Sequence, residues 1–500
     1  MNHLKKGKLI VSLFFFTLPF VPAVASAAVQ FSFTPGCARG LNFIHQFRFS
    51  DARNALTTER GNNNLAPLLL DDYIDFIQVF LNEQTAEYQK LNAAVPERIR
   101  RIEELPETSP WRLYCRGEIR MHWGLAAMKY GEYWTAFTLF RNAWSDFQEN
   151  LRKHPKFVLT EKSLGLLEAA VGSIPQSYKK FAAVLGFSGS ISGGLARVER
   201  VSRTTPASPD LLMFHHEASL LACWLRLHLL QDPQGAWNLV LAVCNQYQYY
   251  PVACFIRANI AMNTGRNDLA IETLRGRIPH PNQHAFWYLE FMLGQALLHR
   301  LDTTAETHLR RYLVRFKGQN YLKRAARDLA WVALLKGDMA WYQNYLSLAR
   351  TMGQERTDED RQAMRDAWQK YPPDVRLLQA RLLCDGGYYA RALSVLGANT
   401  YTSTTLQTEY HYRQARILQE LNRTAEAEQA YLNTIELGKD LERYFAANAA
   451  LQLGLIYEAR AQRAQAIQYF RMAINGFPNN KEYRNGIEQK ARAGLQRIGA

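Results

Sequence analysis

Residues 451–478 read LQLGLIYEARAQRAQAIQYFRMAINGFP. Gly454 follows Leu453, and Tyr457 comes three residues later. Ala466 stands twelve residues after Gly454; Phe470, Ala473 and Pro478 follow it in turn. Small and large residues thus recur at helical spacing along two successive segments. The pattern predicts a helical hairpin. Glycine and alanine let its two helices approach closely, while Tyr457 and Phe470 fill the space between one hairpin and the next. Pro478 marks where the second helix must stop.

The same offsets recur along the chain. Gly124 stands twelve residues before Ala136, with Phe140 and Ala143 beyond and Gly131-Glu132-Tyr133 as the turn. Ala380 precedes Ala392 by twelve residues, and Ala415 precedes Ala427 by twelve. Weaker copies surround the turns at Gly265–Ala270 and Lys336–Asp338, and Gly294 with Ala305 is one residue short of the ideal. Ala427 follows Ala392 by 35 residues, and Ala466 follows Ala427 by 39, which places a small insertion at Gly438–Arg443. A unit of about 34 residues with this alternation is the tetratricopeptide repeat. The expected fold is all-α, with helical hairpins stacked into a right-handed superhelix and no strands. Toward the N-terminus, Gly40–Leu56 forms a first hairpin, and Asp71–Leu91 is expected to be one long helix bearing Tyr73, Phe76, Phe80 and Tyr88. An N-terminal helical region (28–205) and a C-terminal superhelix (206–500) are expected. A break into two lobes fits best around Gly186 or at Thr204–Pro209.

A solenoid accounts for 500 residues without several separate cores. The chain is 48% apolar and 12% aromatic, which excludes a disordered composition. Its formal net charge is +15; three of the lysines lie in the leader, leaving about +12 by the same counting. The basic residues are scattered, which fits solvated helix faces better than a nucleic-acid surface. Residues 1–27 have the form of a cleaved secretory signal: Lys5, Lys6 and Lys8, an apolar run from Leu9 to Val24, then Ala25-Ser26-Ala27. An exported, periplasmic or envelope protein is therefore expected. Of the six cysteines, Cys244 and Cys254 are the candidates for a local disulfide across Tyr249-Tyr250-Pro251. Cys223, Cys254 and Cys384 sit among apolar neighbours in helical patterns and also read as small buried core residues.

Three passages carry a more specific resemblance. They are Phe49–Tyr88, the stretch Phe181–Leu195 with its Leu185-Gly186-Phe187-Ser188-Gly189 and Gly194-Leu195, and Tyr250–Leu274. Together with the C-terminal repeats, these resemble the tetratricopeptide-repeat family of the inclusion body clearance protein and the eukaryotic outer-membrane repeat proteins. The resemblance implies a helical-repeat fold and no catalytic residues. The export signal departs from that intracellular family.

The usual catalytic constellations are missing. His215-His216-Glu217 lacks the second histidine of a zinc helix, because position 220 is Leu220. Gly186–Gly194 is followed by no Gly-Lys-Ser/Thr and reads as a helix-to-helix turn. Asp71-Asp72 and Asp358-Glu359-Asp360 read as helix starts whose carboxylates satisfy backbone donors. No enzyme activity, cofactor or metal is expected. What remains is a protein-binding scaffold whose concave face holds a peptide or partner protein. Arg381 and Arg416 each lie eleven residues before the key alanine of their hairpins, Tyr412 is one turn from Arg416, and Asn259 takes the equivalent place in the Ala270 hairpin. This stripe would suit an acidic peptide or a chain-terminal carboxylate. The alternative is a peripheral membrane protein that meets anionic lipid through its basic surface.

Overall fold

The computed structural model describes residues 28–61, 63–174, 186–480 and 482–500. The leader and residues 181–185 of the Phe181–Leu195 junction lie outside the described residues. The described chain is a succession of helices: α1 (Pro35–His45), α2 (Phe49–Thr57), α3 (Ala66–Asn82), α4 (Thr85–Asn92), α5 (Val95–Ile102), α6 (Pro110–Tyr130), α7 (Tyr133–Lys153) and α8 (Thr160–Gly172). There follow α9 (Ile191–Arg203), α10 (Leu212–Leu225), α11 (Pro233–Val243), α12 (Pro251–Asn263), α13 (Asn267–Arg275), α14 (Tyr288–His299), α15 (Ala305–Arg315), α16 (Leu322–Leu335), α17 (Met339–Thr351) and α18 (Asp358–Ala367). The chain ends with α19 (Val375–Asp385), α20 (Tyr389–Leu396), α21 (Thr404–Glu420), α22 (Thr424–Gly438), α23 (Phe445–Ala459), α24 (Arg463–Asn475) and α25 (Arg484–Arg497). Among the described residues no strand forms; one isolated bridge pairs Gln30 with Asn64.

The small residues of the repeat do what their spacing predicts. A Cβ on Gly454 would meet the Phe470 ring at 2.5 Å, and one on Gly124 would meet Phe140 at 2.8 Å. Phe470 is fully buried, held on one side by Gly454 and on the other by Gly494 of the closing helix α25. Helices α8 and α9 come closer still: a Cβ on Gly194 would meet the Gly165 carbonyl at 2.3 Å, with no flexible side chain to give way. Gly131, Gly265, Gly337 and Gly387 end the first helices of their hairpins in the left-handed region that glycine tolerates best.

Hairpins far apart in sequence also meet through their turns. The Gly265 and Gly387 turns abut, and the Tyr388 hydroxyl donates to Asp268 at 2.6 Å. One apolar core gathers residues from Cys37 to Leu225, and a second runs from Leu220 to Leu382. They share α10, and Trp224, Leu239, Val252 and Phe286 pack against both. The first hairpin folds back on the middle of the chain. The His284 amide donates to the Phe47 carbonyl at 2.8 Å, Gln283 to the Gln46 carbonyl at 2.8 Å, and the Tyr250 hydroxyl to Asn42 at 2.9 Å.

Three expectations are corrected. Asp71–Leu91 is not one helix: α3 ends at Asn82, and Glu83, with a φ of 53°, breaks the path before α4 starts. Asp71 and Asp72 are not at a helix start but inside α3. Asp72 accepts from Trp123 Nε1 at 2.8 Å and Arg98 at 3.0 Å and faces His122 at 2.9 Å, while Asp71 pairs with Arg60 at 2.7 Å. Their charges staple α3 to α5, α6 and the end of the first hairpin. Cys244 and Cys254 are both free thiols. Cys254 points toward the Thr273 carbonyl of α13, 3.7 Å away, and burial pushes its pKa up to about 12. Asp358–Asp360 do open a helix, yet Asp360 also caps a neighbour, accepting the Tyr321 and Arg324 amides at the start of α16.

Candidate binding cavity

A cavity of about 680 Å³ opens where the N-terminal hairpins meet the central ones. One wall is α3, whose Phe76 and Phe80, and Ile77 and Leu81, are spaced four residues apart and so share a face. The opposite wall is Val252 and Phe255 of α12, Phe286 and Tyr288 before and at the start of α14, and Tyr312, Phe316 and Tyr321 around α15. Leu125 and Met128 of α6 and Tyr133 of α7 complete it. Phe76, Ile77, Phe80, Phe255, Phe286 and Tyr288 are each only partly covered. A large apolar side chain contributes about 1.5–3 kcal/mol when fully buried, so half-exposed ones gathered in one place leave stabilisation unrealised. Pockets of this size and lining are those that take apolar ligands.

The polar groups at the cavity are few and placed. Glu83, at the break between α3 and α4, pairs with Lys129 at 2.8 Å. The same carboxylate accepts the Gln319 amide at 3.0 Å and the Asn320 amide at 2.8 Å. Burial alone would raise the Glu83 pKa, but Lys129 and the two amides hold it below the ordinary carboxylate value. Lys129 also donates to the Phe80 carbonyl at 2.6 Å and lies 3.9 Å from the Phe80 ring centroid. This ion pair therefore ties α3, α6 and the loop before α16 together at one end of the cavity. Arg356 lies at the mouth, donating to the Lys129 carbonyl at 3.3 Å.

A separate cluster of buried charge lies in the N-terminal core. Lys162 of α8 sits between Glu118 of α6 at 3.2 Å and Glu217 of α10 at 2.7 Å. Glu217 also meets His45 of α1 at 2.9 Å, and the Tyr73 hydroxyl donates to Glu118 at 3.2 Å. Burial would raise the Glu217 pKa, but Lys162 and His45 hold it down to about 2. The first of the sequence's adjacent histidines, His215, is bonded to the Val201 carbonyl at 2.8 Å. These groups are satisfied by one another, and Glu118, Lys162 and Glu217 line no part of the large cavity. Among the described residues no group of three or more His, Cys, Asp and Glu side chains is arranged to hold a metal ion.

The four residues singled out in the sequence lie elsewhere. Arg381 is half-buried, its guanidinium 5.0 Å from the Trp331 ring centroid and 3.8 Å from Asp385. Tyr412 is core rather than surface: it is buried, packs on Phe445, and its hydroxyl donates to Asn448 at 3.2 Å. Arg416 lies close to the Tyr412 hydroxyl, and its buried Nε has no hydrogen-bond partner. Asn259 pairs with His228 at 2.8 Å. The cavity was missed because each of its aromatic residues, taken alone, reads as ordinary core; the half-exposure that marks them appears only after folding.

No family model matches this chain, and no curated protein matches it. A solved structure of a monomeric IFIT1 mutant with Gppp-AAAA aligns with 93% of this chain and 94% of that one, at 12% identity and a TM-score of 0.30. Among the described residues no helix is long and apolar enough to cross a membrane.

Proposed function

We propose that this protein is a non-enzymatic binding scaffold of the cell envelope that holds the apolar part of its partner in the aromatic cavity. The observation that carries this reading is the half-exposed aromatic wall shared by α3, α12 and the start of α14. An apolar occupant would complete burial that the fold leaves unfinished. The neutral fluorophore Nile red should bind saturably to the wild-type protein. Ile77→Arg, which puts a charge into the cavity from a partly solvated position, should abolish that binding and leave the thermal melt unchanged. Equal binding by both proteins would remove the cavity from the reading.

Export rests on the leader in residues 1–27. The mature protein should be recovered from the envelope fraction beginning at Ala28; an intact Met1 end on cytoplasmic protein would contradict it. A second reading is favoured by Arg416, which is only partly buried and, among the described residues, makes no ion pair, so that its guanidinium would offer donors to a carboxylate of an acidic peptide. On that reading Arg381→Glu with Arg416→Glu releases a co-purifying protein, and retention of the same partner excludes it. A peripheral contact with anionic lipid would show as flotation with anionic liposomes at low salt.

A further inference from the structure

The charges around the cavity do not cancel, and their arrangement selects among apolar ligands. Glu83 and Lys129 neutralise each other, and the Glu83 carboxylate is further occupied by two backbone amides. Arg356 is different. It lines the cavity and donates a hydrogen bond to the carbonyl of Lys129. Among the described residues no carboxylate lies within ion-pair distance of it. Asp358, two residues on, is taken by Arg361, and Glu132, at the turn Arg356 overlies, accepts from the Tyr88 hydroxyl. Arg356 is also held in place, since Thr357 beside it caps α18. The guanidinium sits over the turn between α6 and α7, its Nε about 4.0 Å from where a Cβ on Gly131 would be. Met128 and Tyr133 flank that turn and line the same opening, 47% and 68% exposed respectively. One cation thus stands at the mouth, an apolar shoulder lies beside it, and an aromatic interior lies behind.

From this geometry, and resting on the reading of the cavity as the binding site, we propose that its ligand is an amphipath with a single apolar chain and an anionic head. The chain lies among Phe76, Phe80, Phe255 and Phe286, and the head meets Arg356 at the mouth. A guanidinium offers two parallel donors to a carboxylate or phosphate, and the low-dielectric surroundings strengthen that pairing. Carboxylate and phosphate heads share this chemistry, so a free fatty acid and a single-chain phospholipid are the two sources to separate.

The test is displacement of Nile red from the wild-type protein by decanoate, dodecanoate, dodecanol and lysophosphatidic acid, repeated with Arg356→Gln. Dodecanoate is expected to bind at least tenfold more tightly than dodecanol. Two added methylenes between decanoate and dodecanoate should contribute about tenfold. Arg356→Gln should bring dodecanoate to the level of dodecanol and leave dodecanol unchanged. Its melt should also stay unchanged, because Arg356 bonds a backbone carbonyl and no buried charge. Stronger displacement by lysophosphatidic acid than by dodecanoate would assign the phospholipid, and the reverse the free acid. Equal displacement by dodecanol and dodecanoate, unaltered in Arg356→Gln, would overturn the anionic head while leaving the apolar cavity standing. If Nile red itself fails to bind, the cavity reading falls and this inference with it.

Discussion

Lys162→Met is expected to lower the free energy of unfolding by about 3–5 kcal/mol at neutral pH. The substitution keeps the volume of the side chain and removes its charge. It leaves Glu118 and Glu217 facing each other in a core where both are largely shielded from water. The penalty depends on pH with a definite sign. In the wild-type protein Glu217 is held at about 2 against an ordinary value of 4.5. A carboxylate held that low contributes about 3 kcal/mol above pH 4.5, and this is lost as pH falls toward 2. Without Lys162 the carboxylates take up protons more readily, so acidification relieves the variant more than the wild type. Urea denaturation at pH 7 and at pH 4.5 should show a large gap that narrows in acid. A gap of equal size at both pH values would mean that the lysine is not neutralising these carboxylates.

Glu83→Ala is expected to cost about 2–4 kcal/mol and to loosen one place in particular. Lys129 would lose its counter-charge in a buried position, and the amides of Gln319 and Asn320 would lose their acceptor. Because Glu83 joins α3 to the loop before α16, amide exchange should accelerate first at 319–321 and at the α3–α4 break. Nile red affinity should fall with it. Glu83→Gln, which keeps an oxygen for the amides, should restore protection at 319–321 in part while Lys129 remains unpaired. Uniform acceleration across all helices would instead indicate that Glu83 serves overall stability and not this junction.

The hairpins were legible in the sequence because each is decided locally. A glycine twelve residues before an alanine, and an aromatic four beyond that, specify close approach within a single hairpin, as Gly454 and Phe470 show. Features that depend on distant partners were not legible. Asp72 looks like a solvent-facing capping residue until Arg98, His122 and Trp123 arrive from α5 and α6. The break at Glu83 carries neither glycine nor proline; a left-handed glutamate is held there by Lys129 and two amides from far along the chain. The cavity is the extreme case, because its walls come from α3, α6, α12 and the segments around α14 and α15. Arg381 and Arg416 share an offset in sequence, yet one lies over the Trp331 ring and the other beside the Tyr412 hydroxyl. Offset within a repeat fixes a helix face, while the neighbour that covers that face is set by the next hairpin.

The most direct measurement is amide exchange of the full-length mature protein with and without saturating Nile red. Protection confined to α3, α12 and residues 316–321, and absent from Ile77→Arg, is the expected result. Protection spread along the C-terminal hairpins α19–α24, or none at all, would contradict a binding site in the aromatic cavity.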